Sequence, residues 1–217
     1  MDKNAPSDSG EIWVVDFNAE AARAFREQVL LKAKEDPTMP IVVRINSYGG
    51  YVDSLAKMIE TMDEVPNKFI TIASGCAMSC GAILLSHGDM RFCGPYSRVM
   101  IHNVSSGSWG DAYSLKADSE ETHRLNKLFM GLLAENCDLT YSQLQNKIKE
   151  SLGSKEIWLN AEDAKKFGII DMVGIPRILP QLSWGFSVEE KEKPEPKTKR
   201  KTSSKKTSSK KTSNKKR

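Results

Sequence analysis

Short apolar, β-branched runs alternate along this chain with stretches in which apolar positions recur every three or four residues. Ile12–Phe17 (IWVVDF) predicts a strand. Asn18 follows as a helix cap, and Ala21, Ala22, Phe25, Val29 and Ala33 share one helical face. Ile41–Ile45 predicts a second strand, NSYGGYVD a glycine turn, and Val52, Leu55, Ala56, Ile59 and Met62 a second helix. Phe69–Ala73 reads as a strand, Ser79–Ser86 as a short helix of small residues, and Arg98–His102 as another strand. Alternation of this kind predicts an α/β fold with crossover connections and mostly parallel pairing.

The rhythm is then interrupted. A long helix is expected over about 111–136, with Leu125, Leu128, Phe129, Leu132 and Leu133 as its apolar stripe. Thr140 and Gln143 form a capping box that opens a further helix to about Lys149. These two helices read as an insertion projecting from the core. Ile157–Leu159 predicts a strand, Asn160 caps the helix AEDAKKF, Gly168 ends it, and Ile169–Val173 predicts the last strand.

Composition changes this picture mainly at the C-terminal end. The 217 residues have 39% hydrophobic content, enough for one sizeable core. The net charge of +4 hides two unlike parts. From Lys191 to Arg217 there are 13 basic and 2 acidic residues, which leaves 19 basic and 26 acidic residues in 1–190. An acidic body therefore carries a basic tail. Residues 203–217 read SSKKT SSKKT SNKKR, a lysine-rich repeat without apolar residues, expected to be disordered. Its charge suits a nonspecific nucleic acid or another polyanion, although no aromatic residue is present to stack on bases.

Other classes are excluded. The four cysteines (Cys76, Cys80, Cys93 and Cys137) have neither a CxxC pair nor zinc-type spacing, so no disulfide scaffold or metal site is expected. The start, MDKNAPSDSGEIW, has no signal-peptide pattern. The stretch Phe69–Leu85 is interrupted by serines and glycine and falls short of the ~20 apolar residues a spanning helix needs. A cytoplasmic protein with no membrane partner and no cofactor is expected.

Three segments carry candidate chemistry. In TIASGCAMSCGAILL, Ser79 stands where a strand gives way to a helix, where backbone amides lack intrahelical partners. A hydroxyl there can attack a carbonyl whose oxyanion meets those amides. In NSYGG, adjacent glycines let the backbone approach a ligand closely. In RVMIHNV, His102 ends an apolar strand, and an imidazole is the natural base for a serine. Taken singly, each also fits a plainer reading: a small packing residue, a tight turn, a core histidine. His87 and His123 are not similarly placed.

Together, these segments resemble the proteolytic subunit of the Clp protease, ClpP, whose serine peptidase family includes phage head-maturation proteases. The family's INSPGG stands here as INSYGG (Ile45–Gly50), AASMGA as AMSCGA (Ala77–Ala82), and VMIHQP as VMIHNV (Val99–Val104). A segment like FLSAEEAKEYGLID stands as WLNAEDAKKFGIID (Trp158–Asp171). The resemblance runs from about Glu11 to Val173.

The resemblance implies a ClpP/crotonase-like spiral of β-β-α units with a projecting helix, the handle. With the composition, it gives a short polar segment (1–10), a peptidase domain (11–188) and the Lys-rich tail (189–217). It makes Ser79 the nucleophile, His102 the general base, and Gly50 and Cys80 the oxyanion amides. Glu156 stands where the family has an aspartate, with Asp138 and Asp111 as substitutes should it point outward. Tyr51, Val52 and Val104 would line the substrate. The implied partners are a polypeptide substrate, a homo-oligomer of stacked heptameric rings, and an unfoldase ATPase. The short polar stretch before Glu11 stands where the family has the axial loops that engage that ATPase. Tyr48 for proline, Cys80 for methionine, and the tail fit a divergent branch, such as a virus-encoded member. The competing readings are a non-catalytic ring subunit and an acyl-CoA hydratase-type enzyme of the same fold, which needs no Ser–His pair.

Overall fold

A computed structural model describes residues 10–151 and 155–176, all within one compact unit. The N-terminal segment and the Lys-rich tail, with the domain boundary expected near 188, lie outside the described residues. In chain order the elements are β1 (Ile12–Val14), α1 (Ala19–Glu35), β2 (Ile41–Ser47), α2 (Val52–Glu64), β3 (Phe69–Met78), α3 (Cys80–Ser86), β4 (Met90–Cys93), β5 (Arg98–His102), α4 (Ala112–Asn136), α5 (Tyr141–Glu150), β6 (Glu156–Asn160), α6 (Ala161–Phe167) and β7 (Met172–Val173). The architecture is α/β, as the periodicity predicts.

The strands run β1-β2-β3-β4-β7, and every pair in that path is parallel. β3 serves two neighbours on one edge. Its first half, Ile70–Ala73, pairs with β4, and its second half, Cys76–Met78, pairs with β5. β6 then adds to β5 in the antiparallel sense. β3 is longer than the predicted Phe69–Ala73, because serine, glycine and alanine lower the apolar signal while the ladder with β5 continues. β4 is absent from the sequence prediction; its four residues, MRFC, are too few for a period to register. Conversely, β1 stops at Val14 and β7 covers only Met172–Val173, shorter than expected.

The caps behave as the sequence predicts. Asn18 accepts from Ala21 N, Asn160 accepts from Asp163 N, and Thr140 and Gln143 close a full capping box. Gly168 ends α6 at φ 93°. The main core joins one face of the sheet to α1, α2 and α3, with Phe17, Phe25, Leu55 and Met58 fully buried or nearly so. Each such side chain contributes about 1.5–3 kcal/mol. The alternate residues Val42, Ile72 and Phe92 form a smaller cluster, which strand alternation puts on the opposite face.

α4 departs from its predicted stripe. Phe129, Met130, Leu133 and Ala134 are buried, whereas Leu128 is 55% exposed. Its first turns, residues 112–121, are exposed on every side, so the helix leaves the body at that end. Among the described residues, no helix is long and apolar enough to cross a membrane.

Candidate active site

The site begins where β3 stops. Ser79 follows Met78 directly and is the N-cap of α3, with φ 53° and ψ −118°. A non-glycine residue in that region is strained by roughly 1–3 kcal/mol. Bonds on both sides hold it: Ser79 N donates to Met100 O at 2.9 Å, and Ser79 O accepts from Ala82 N and Ile83 N at 3.0 and 3.3 Å. This conformation leaves the hydroxyl without a cap bond to α3. It also leaves the amide of Cys80 at the first helical position, where no preceding turn supplies an acceptor.

His102 reaches Ser79 through the pairing of β3 with β5. Met78 lies opposite Met100, so the chain delivers His102 beside the residue that follows Met78. His102 Nε2 is 2.8 Å from Ser79 Oγ. In the tautomer with hydrogen on Nδ1, Nε2 accepts from the serine hydroxyl, the arrangement that lets it remove the proton.

The NSYGG turn forms the wall facing the serine. Gly49 has φ 101°, and a Cβ there would lie 2.7 Å from Ser79 Cβ. At Gly50 a Cβ would lie 2.5 Å from Phe17 O. Neither position has room for a side chain, so at Gly49 the backbone itself closes on Ser79. Tyr51 N donates to Phe17 O at 2.8 Å, and Cys80 Sγ donates to Gly50 O at 3.2 Å, tying the turn to β1's continuation and to α3.

Glu156 opens β6 and pairs directly with His102 in the β5–β6 register. Directly opposed residues share a face, with Cβ atoms roughly 4.5–5.5 Å apart. The carboxylate accepts from Trp158 Nε1 through Oε2 at 3.0 Å. The substitutes are engaged elsewhere. Asp111 caps α4, accepting from Ser114 N and Tyr113 N, and these bonds hold its carboxyl below the usual range. Asp138 follows α4 at φ 55°, its charge acting on Arg91 at the far end of that helix.

Ser79, His102 and the glycine turn open onto a cavity of about 260 Å³. Of the predicted residues, Gly50, Val52, Ser79, Cys80, His102 and Val104 line it. Tyr51 and Glu156 do not; Tyr51 is 73% exposed beside the start of α2, and Glu156 stands on β6. Tyr48 lines the cavity, as do Ile83, Met100, Ser105 and Met130, which sequence reasoning did not select. Met100 and Ile83 could have been found from their two- and four-residue offsets from His102 and Ser79. Met130 offered no such signal, because it arrives from α4.

The four cysteines are free and buried. Burial pushes the Cys80 thiol up. Burial also pushes Cys93 up to about 11 and Cys137 to about 12. Among the described residues, no group of three or more His, Cys, Asp or Glu could hold a metal ion.

Residues 12–177 match the Clp protease family. The chain is also 34% identical over 156 residues to a protein named ATP-dependent Clp protease proteolytic subunit 2 from Corynebacterium efficiens, covering 71% of this chain and 76% of that protein.

Proposed function

This chain belongs to the Clp protease family, and we propose that it is a serine endopeptidase in which Ser79 is the nucleophile and His102 the general base. The observation that carries this reading is the 2.8 Å contact between Ser79 Oγ and His102 Nε2 at the wall of an open cavity. Ser79 Oγ attacks the peptide carbonyl carbon as its proton passes to Nε2. The amides of Gly50 and Cys80 receive the oxyanion. His102 then protonates the departing amine. Water attacks the acyl ester, giving its proton to the imidazole, and Ser79 leaves with that proton restored. Glu156, opposite His102 in the strand pair, orients the ring and stabilises its cation.

The substrate lies extended beside the residues after Gly50 and after His102, where Val52 and Val104 flank the cavity. The chain assembles into rings, stacked heptamers in this reading. The physical motive is α4, whose exposed Leu128 lies on a shallow surface with Leu132 and Gly131. The lysine-rich tail binds polyanions through charge.

The deciding experiment is labelling with a fluorophosphonate probe. Wild type is expected to be labelled and to cleave a casein-like substrate, and Ser79→Ala to do neither. His102→Ala should lower turnover by several decades while the fold is retained. An unlabelled wild type would favour a ring subunit without catalysis or a hydratase-type enzyme.

A further inference from the structure

We infer that Trp158 is a positioning residue for this reaction: its indole N–H tethers the Glu156 carboxylate beside His102. The inference rests on the proposed peptidase reading. Glu156 and Trp158 are two residues apart on β6 and so share a face, and they stand opposite His102 and Met100 of β5. Trp158 Nε1 donates to Glu156 Oε2 at 3.0 Å. The indole is itself held, with the Arg98 guanidinium 6.0 Å from its ring centroid. Trp158 is 52% exposed, so its ring is not there to fill the core.

The tether answers a specific difficulty. A glutamate has one more rotatable bond than the aspartate of the resembling family, and its head group loses more freedom when fixed beside an imidazole. A donor on one carboxylate oxygen removes much of that freedom before the reaction begins. The family segment written FLS has phenylalanine where this chain has Trp158, and a phenyl ring cannot donate.

The test is kinetic, on the full chain. Trp158→Phe keeps an aromatic ring and removes the donor. It should lower kcat about tenfold or more with KM unchanged, as expected for losing a hydrogen bond to a charged group. In a Glu156→Ala background, Trp158→Phe should have no further effect on kcat, because nothing remains to be held. The double variant Glu156→Asp/Trp158→Phe should recover part of the activity lost in Trp158→Phe alone. An unchanged kcat in Trp158→Phe, a change in KM alone, or the same fold-loss with and without Glu156 would overturn the inference while leaving Ser79 labelling intact. A wild type that fluorophosphonate does not label would overturn the peptidase reading itself.

Discussion

Ser79 shows how much a single backbone conformation can decide. Its φ of 53° is tolerated because Met100 O and the first turn of α3 hold it, and because Gly49 leaves space beside it. Gly49→Ala must either push Ser79 aside or move the turn, since the new Cβ would meet Ser79 Cβ at 2.7 Å. We expect that variant to lose fluorophosphonate labelling. The neighbouring thiol gives a second prediction at this scale. Because burial raises the Cys80 pKa, the group stays protonated at neutral pH and would not compete with Ser79, the proposed nucleophile. Iodoacetamide at neutral pH should leave peptidase activity unchanged, and an inactivation that tracks Cys80 alkylation by mass spectrometry would contradict this.

Among the elements, β4 does more than its four residues suggest. Arg91 Nη1 donates to Asn136 O at 2.7 Å and to Gly168 O at 3.0 Å, so one guanidinium satisfies carbonyls at the ends of both α4 and α6. It also forms an ion pair with Asp171. Arg91→Met should destabilise the fold by about 2–3 kcal/mol, read as a lower melting midpoint. Burial pushes the Asp171 carboxyl up, but the bonds from Arg91 outweigh it and leave the group below the usual range. A depressed folded-state pKa contributes stability above the unfolded value, and that contribution is lost as pH falls through the folded one. Wild type should therefore lose stability below about pH 4 more steeply than Asp171→Asn, which has no proton to take up there. α4 carries a different prediction. If the proposed ring uses this face, Leu128→Glu should lower the sedimentation coefficient, and an unchanged value would remove the face from the proposed contacts.

For the whole molecule, the governing feature is the separation of charge. Residues 1–190 hold 19 basic and 26 acidic residues, against 13 and 2 from Lys191 onward. Binding driven by the tail alone would weaken steeply with salt and ignore sequence. A chain ending at Glu190 should lose retention on heparin and on duplex DNA at low salt while keeping its peptidase activity. Equal retention of the two chains would remove the tail from any such role.

Much of this site is legible in the amino-acid sequence. Helix caps, glycine turns and the chemistry of Ser79 and His102 are local properties, written in the spacing of a few neighbouring residues, and the motifs around them carry the family resemblance. Other features depend on contacts between distant segments. β3 continues to Met78 because β5 is there to pair with it, and that pairing brings His102 to Ser79. Glu156 faces His102 only through the antiparallel register of β6 on β5. The buried face of α4 includes Met130 and leaves Leu128 exposed, although leucine is the more apolar choice, because docking against the body selects the face. Local propensity and capping act over one or two turns of chain, and so the sequence by itself determined the elements and the reactive groups. Register and docking are settled by which surfaces bury one another, and only the tertiary structure decided which of those groups would meet.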